Sequence, residues 1–573
     1  MTRVDSTVGG LTAGVEDEMG VAEGALDTVD PIAIMSALKA ALTRATFRPE
    51  ATAAAFARFG ARLVSGAIDV AVTTIVSRSR DPAAVEGADG RFRDPVWAQN
   101  PIFRALLEWY LANSALLHDL VEAGDLDDEV TASKATFAAG LIADMFAPTN
   151  VLLTNPTAWK RAFETGGFSV LRGARNFVVD LRENDGWPRQ VNRSPFRLGE
   201  NMAATPGKVV FRNELIEIMQ YEPQTDNVFE VPLVVCPPWI NRYYIADLAP
   251  NRSLIEWAVR HGHTTFAISY RNPDESTRDH TFDDYLRLGP LTAIEVARTI
   301  AGSDVVNTLA ICLGGTLNTI ALAYLEAVGD HVVNVSTLLN SAVDYAGAGL
   351  LSDVFTDPAT IEVMCRRMEE TGFLEAKDMT RTFTMLRANE LLFRYVVDNW
   401  LLGEAPPAFD LLAWNDDSTR IPGKAHSYFA RKMYIDNALA CDELEALGER
   451  LIMSNITTDT YIVAAVDDHI VPWSSSYKTT QLFKGPIRFV LTSAGHIAGI
   501  VNPPSPKARL WTNNELPADP QQWRATAIEH QESWWEDWTR WIAERAGTRV
   551  APPTMGNVAY PPLGDAPGTY VTS

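Results

Sequence analysis

Leu309-Ala310-Ile311-Cys312-Leu313-Gly314-Gly315-Thr316 is the stretch whose reading decides the fold. It closes a β-branched apolar run, VVNTLAI, and opens a helical pattern, TLNTIALAYLEAV. A cysteine at that junction, followed by two glycines, has the form of a nucleophile elbow, the strained strand-to-helix turn that lifts a reactive side chain above a sheet. Small residues are needed around it because larger ones meet neighbouring backbone. Gly314 and Gly315 meet that need on one side, and on the other Ala310 stands where glycine is usual.

Working outward, short β-branched bursts bounded by Pro and Asn begin near Thr205, in TPGKVVFRNELIEIMQYEP and FEVPLVVCPPWIN. HTTFAISYRNPD, VVNTLAICLGG, HVVNVSTLLNSAVD, TDTYIVAAVDDHIVPW and GPIRFVLTSAGHIAGI follow, separated by helical segments such as SLIEWAVRHG. This alternation predicts a mostly parallel sheet with helices on both faces. Together with the elbow it predicts an α/β-hydrolase fold, in which the chain order is nucleophile, acid, histidine. Asp468 follows the strand run YIVAAV and His496 follows IRFVLTSAG, each where that order needs it. Asp467 is equally placed by spacing, and His469 reads as a loop residue beside the acid.

Four stretches organise the 573 residues. Residues 1–30, rich in Gly, Thr and acids, read as a tail without fixed structure. Residues 31–204 carry helical periodicity in IMSALKAAL, NPIFRALLEWYLANSALLHDLV and TASKATFAAGLIADMF and read as a helical N-terminal domain. Residues 205–573 form the catalytic domain, interrupted at about 344–444 by aromatic-rich amphipathic segments that read as an inserted cap. Near the end, QQWRATAIEHQESWWEDWTRWIAER reads as one amphipathic helix whose Trp stripe packs into the core.

A net charge of −23 argues against a nucleic-acid partner, since phosphate neutralisation needs clustered Lys and Arg. A single basic pocket for a small anionic ester is compatible with it. The acidic N-terminus lacks the basic start and apolar run of a signal peptide, and no uncharged run of about 18 apolar residues suggests a membrane span. Cys236, Cys312, Cys365 and Cys441 are far apart, which excludes a CxxC zinc site and suggests a reducing, cytoplasmic setting.

Beyond these local readings, long strings carry a resemblance: FRDPVWAQNPIFRALLEWYLANS, LLTNPTAWKRAFETGGFSVLRG, NMAATPGKVVFRNELIEIMQYEP, CPPWINRYYIADL, AICLGGT, DDHIVPW and SAGHIAGIVNPP. Over nearly its whole length the chain resembles the polyhydroxyalkanoate synthases, and its length and the ending APGTYVTS resemble their class I members. The resemblance implies Cys312 as nucleophile, His496 as base and Asp468, in preference to Asp467, as acid. It further implies an acyltransferase that takes (R)-3-hydroxyacyl-CoA, releases CoA, needs no metal or separate cofactor and extends a polyester. A homodimer in the cytoplasm, at the surface of polymer granules and with a mobile cap, is also implied. Trp239 stands where many class I members have a smaller residue, leaving the preferred acyl length open.

The chemistry expected follows from these residues. Cys312 attacks the acyl-CoA carbonyl as its proton passes to His496, favoured by the positive end of the helix that starts near Leu313. The oxyanion is held by the backbone N–H of Leu313 and by one near Ile240 in PPWIN, in the loop after the first core strand. A thioester on cysteine keeps its transfer potential, whereas an oxoester on serine would lie close in energy to the polymer bonds. The resemblance implies that the next monomer's hydroxyl is deprotonated by Asp468, directly or through His496. A thioesterase or depolymerase with the same triad would place water in that role, and an inactive granule scaffold would lack the chemistry. Arg381, Arg387 and Arg394 are candidate phosphate contacts that read more simply as solvated helix faces.

Overall fold

Asn-Pro pairs set the starts of two helices in the N-terminal half: the asparagine side chain accepts from the first free amides, and proline supplies a helical φ where no donor is needed. In the computed structural model, which describes residues 31–75, 89–347, 354 and 356–573, the longer helices of this half are α1 (Pro31–Thr46), α2 (Pro49–Ile75), α3 (Pro101–Gly124), α4 (Glu129–Met145), α5 (Pro156–Glu164) and α6 (Phe168–Glu183). Asn100 Oδ1 accepts from Ile102 N at 2.9 Å to cap α3, and Asn155 Oδ1 accepts from Ala158 N at 3.0 Å to cap α5. Alanines let α1 and α4 approach closely: Ala37, Ala41 and Ala45 on one and Ala135, Ala138 and Ala139 on the other are buried. Phe92, Trp97, Leu107 and Tyr110 form a separate aromatic core in this half. The expected tail, residues 1–30, lies outside the described residues.

By internal contacts the chain divides into two units, Met1–Asn192 with Asp378–Pro407, and Arg193–Lys377 with Ala408–Ser573. The 344–444 stretch is therefore not one insertion in the catalytic half. Its middle belongs to the helical unit because polar groups of α6 capture it. Trp400 Nε1 donates to the buried Asp180 Oδ2 at 2.8 Å, Asn176 Nδ2 donates to Asn399 O at 2.9 Å, and the Phe177 and Trp400 rings meet edge to face. Among the described residues, no helix is long and apolar enough to cross a membrane.

The second unit is built on strands β1 (Gly207–Arg212), β2 (Ile216–Tyr221), β3 (Leu233–Cys236), β4 (Thr265–Tyr270), β5 (Val306–Ile311), β6 (Val333–Leu339), β7 (Asp459–Ala465), β8 (Ile487–Thr492), β9 (Leu510–Thr512), β10 (Ile528–His530) and β11 (Gly564–Asp565). They form one sheet of 11 strands in the order β10-β9-β8-β7-β6-β5-β3-β4-β2-β1-β11. From β8 to β4 neighbouring strands run parallel; the pairs toward both edges are antiparallel. Every residue of β3, β4 and β5 is buried, which is why these strands read as short, mostly apolar runs without a regular polar alternation. Helix α7 (Leu313–Val328) follows β5, and the sheet is that of an α/β hydrolase.

The C-terminal segment expected as a single helix is instead α8 (Pro520–Thr526), then β10, then α9 (Trp534–Ala543). Ile528, Glu529 and His530 are drawn into antiparallel pairing along β9, so the tertiary edge overrides the local helical pattern. Ser533 and Glu536 then restart the helix as a reciprocal capping box. Its Trp534, Trp535 and Trp538 are buried, and Trp538 Nε1 donates to Thr337 Oγ1 on β6 at 3.0 Å. Replacing Trp538 by Ala is expected to destabilise by about 3–5 kcal/mol, read as a lowered thermal or urea midpoint. Val558→Ala, at a fully exposed position, is expected to shift stability by no more than about 0.5 kcal/mol.

Candidate active site

Cys312 sits between the last residue of β5 and the first of α7 with φ 52° and ψ −123°. A left-handed non-glycine residue at that point is strained, and its neighbours hold it there. Cys312 N donates to Leu339 O on β6 at 2.9 Å. A Cβ added to Gly314 would lie 2.3 Å from Cys236 O and 2.6 Å from Pro237 C, so the loop after β3 rests directly on the first turn of α7. A Cβ on Gly315 would lie 1.9 Å from Ser341 Oγ. Ala310, fully buried, is accommodated in β5 without a glycine. The Cys312 side chain is half-buried, whereas Cys236 and Cys365 are buried and Cys441 is exposed.

The acid and the histidine come from the two strands beyond. Asp468 follows β7 and is buried, while Asp467 is exposed. Asp468 Oδ1 accepts from the backbone N–H groups of Ile470 and Val471, both at 2.9 Å, and Oδ2 accepts from His496 Nδ1 at 2.7 Å. Of the two aspartates that spacing left open, the geometry pairs Asp468 with the histidine. His469 is half-buried in the same loop.

His496 is buried, and its ionisation is set by opposing influences. Burial is the largest and favours the neutral ring; the charge of Asp468, then that of Cys312, then hydrogen bonds to both side chains favour the imidazolium and prevail, raising its pKa to about 10. The structure thus brings Cys312, His496 and Asp468 together. With the pKa raised above the ordinary 6.5, the stability that protonation contributes is fully present below about pH 6.5 and is lost as pH rises through about 10.

As the first residue of α7, Leu313 has a backbone N–H without an intrahelical acceptor. Ile240 is half-buried in the turn after β3 and packs against the same core cluster as Cys312. Around them lies an aromatic wall that the sequence reading only partly anticipated. Trp239 packs edge-on against Phe429 at 5.3 Å and Phe282 at 6.1 Å, and its indole Nε1 has no hydrogen-bond partner among the described residues. Tyr345 hydrogen-bonds Thr316 Oγ1 at 2.9 Å and meets Tyr434 edge to face. Burial, and to a smaller extent the Cys312 charge, raise the pKa of both phenols. Neither tyrosine sits in a motif, so only the fold reveals them.

The cap arginines do not gather. Arg381 pairs with Asp185 at 2.7 Å and lies over the Trp187 ring, Arg387 pairs with Glu390, and Arg394 with Asp398. Among the described residues no group of three or more His, Cys, Asp or Glu side chains is arranged to hold a metal ion.

Comparison with known proteins adds the family. Residues 88–258 match the Poly-beta-hydroxybutyrate polymerase (PhaC) N-terminus, and residues 231–503 match the alpha/beta hydrolase fold. The poly(3-hydroxyalkanoate) polymerase subunit PhaC of Cupriavidus necator is 42% identical over 491 residues, covering 84% of this chain and 83% of its own. The chain belongs to the poly(3-hydroxyalkanoate) polymerase family. It is an enzyme of that family by the same similarity, which extends to poly(3-hydroxyalkanoate) polymerase 1 of Ectopseudomonas oleovorans, 39% identical over 94% of both chains. The poly(3-hydroxyalkanoate) polymerase of Methylorubrum extorquens is 40% identical over 84% of this chain and 80% of its own.

Because Asp468 supports the imidazolium by charge and hydrogen bond, Asp468→Asn should lower the His496 pKa. The onset of Cys312 alkylation by iodoacetamide is then expected at higher pH than in the wild type, measured as rate against pH.

Proposed function

We propose that this enzyme polymerises (R)-3-hydroxyacyl-CoA into a polyester through a covalent thioester on Cys312, with His496 and Asp468 completing the triad. The observation that carries the reading is the buried pairing of His496 Nδ1 with Asp468 Oδ2 at 2.7 Å, beside a cysteine held in a left-handed elbow. The thiol proton passes to His496 and the thiolate attacks the acyl carbonyl carbon. Backbone N–H groups of Leu313 and Ile240 receive the oxyanion, and the favourable end of α7 adds to that stabilisation. The bond from acyl carbon to CoA sulfur breaks, and His496 returns its proton to the departing CoA thiolate. No metal or cofactor beyond the CoA of the substrate enters the scheme.

Elongation needs a base for the monomer's 3-hydroxyl. Asp468 is fully shielded on its side chain, and each of its oxygens already accepts hydrogen bonds. That arrangement favours His496, neutral after CoA has left, as the group that takes the hydroxyl proton, with Asp468 stabilising the imidazolium. The alkoxide then attacks the acyl thioester and Cys312 leaves as a thiolate, which in turn attacks the CoA thioester of the lengthened chain, taking the chain back onto the cysteine and releasing CoA. Because the growing polyester is tethered through the enzyme's own cysteine, the reading also places the enzyme at the surface of the insoluble product, in the cytoplasm where acyl-CoA is made.

Purified protein supplied with (R)-3-hydroxybutyryl-CoA should release CoA thiol and develop turbidity from polymer together. Cys312→Ala should abolish both while its thermal midpoint stays near that of the wild type. Sustained turnover by that variant contradicts the reading, and thiol release accompanied only by free 3-hydroxybutyrate indicates hydrolysis instead.

A further inference from the structure

The turn that ends β6 touches all three segments that bear the proposed triad. Leu339 O accepts from Cys312 N at 2.9 Å, and Thr316, one turn into α7, donates its Oγ1 to Ala342 O at 2.8 Å. Asn340 N donates to Val463 O on β7, the strand that leads to Asp468, at 2.8 Å. The Asn340 side chain reaches across 156 residues of sequence, and its Nδ2 donates to the backbone carbonyl of His496. Asn340 is fully buried and has φ 45°, a left-handed conformation that asparagine tolerates better than most residues. The direction of the amide is fixed by chemistry, since only an NH₂ group, not a second carbonyl oxygen, is attracted to the His496 carbonyl.

We propose that Asn340 is a positioning residue for the polymerisation reaction, fixing the main chain of His496 so that its ring stays between Asp468 and Cys312. The inference rests on the triad reading above and adds to it the residue that aims the histidine. Asp468 restrains the ring only through Nδ1, which leaves rotation of the loop about that contact. The loop that carries His496 follows the end of β8, contains Ala494 at φ 80°, and is held on either side of the histidine by Ser493 N to Arg509 O at 3.0 Å and Gly499 N to Gly495 O at 2.8 Å, neither of which engages His496 itself. Asp467 N to Ala494 O, at 3.0 Å, ties one end of it, and the Asn340 amide ties it at the histidine itself. Two restraints at different points of one residue, the side-chain nitrogen and the main-chain oxygen, define the ring position where one does not. A displacement of about 1 Å at a catalytic group is enough to cost on the order of 100-fold in rate.

Asn340→Gly separates the two contributions of the residue, because glycine keeps the left-handed backbone and removes the side chain that carries the amide donor. Its kcat for (R)-3-hydroxybutyryl-CoA is expected to fall by about 10- to 100-fold with KM within about twofold of the wild type. The pH profile of Cys312 alkylation is expected to move in the direction that Asp468→Asn moves it, a readout that a purely structural residue would leave alone. Asn340→Asp, equal in size and also tolerant of φ above zero, turns a carboxylate toward the carbonyl and is expected to lose at least as much at neutral pH. If either variant, folded by its thermal midpoint, turns over at the wild-type kcat with the wild-type alkylation profile while Asp468→Asn shows its displacement, the inference is overturned. If Asp468→Asn and His496→Gln themselves leave the alkylation profile unmoved, it is the triad reading that fails.

Discussion

Cys312 is held at φ 52°, where a residue with a side chain costs on the order of 1–3 kcal/mol, and the arrangement of the second unit follows from keeping it there. The peptide N–H of Cys312 is bonded to β6, the glycine two residues on lies against the backbone of the loop after β3, and α7 begins at once. A thiol so placed projects from the end of a parallel strand with a helix N-terminus behind it. Strand, loop and helix all have to be right for the strain to persist. Neither Gly314 nor Gly315 has room for a methyl group, and Ala310 shows that the third small position tolerates one.

Electrostatics then decide what the placed thiol can do. In a buried site a carboxylate with unsatisfied oxygens would be costly, and Asp468 avoids that by taking two backbone N–H groups and one imidazole. The saturated carboxylate is held in place and stabilises positive charge on His496. That division of labour suits acyl transfer, in which one imidazole must hold a proton, deliver it to a departing thiolate and collect another from a hydroxyl. Trp239, Phe429 and Phe282 pack on one another, and Tyr345 and Tyr434, both within reach of the Cys312 charge, meet edge to face.

Much of this was legible because it depends on local sequence. The buried strands were visible as β-branched runs, and the elbow as a cysteine followed by glycines between a strand and a helix. Spacing alone could not choose between Asp467 and Asp468; adjacent residues on a turn point in different directions, and the structure leaves one exposed and turns the other to His496. What sequence missed was decided at long range. The 344–444 stretch divides because Asn176 and Asp180 meet Asn399 and Trp400, and no local pattern announces those contacts. The last expected helix breaks because β9 offers Ile528–His530 an edge, although Ser533 and Glu536 were a readable restart signal. Asn340 follows an apolar strand and precedes a serine in an unremarkable turn, so its bond to the His496 carbonyl had no signature.

The most direct test of the account is to quench the enzyme within its first turnovers on (R)-3-hydroxybutyryl-CoA, digest it at acidic pH and locate the covalent acyl group by mass spectrometry. The account predicts a 3-hydroxybutyryl or oligomeric ester mass on the peptide containing Cys312, removed by neutral hydroxylamine as a thioester is. An acyl group on any other residue, or none on Cys312 while polymer forms, would contradict it.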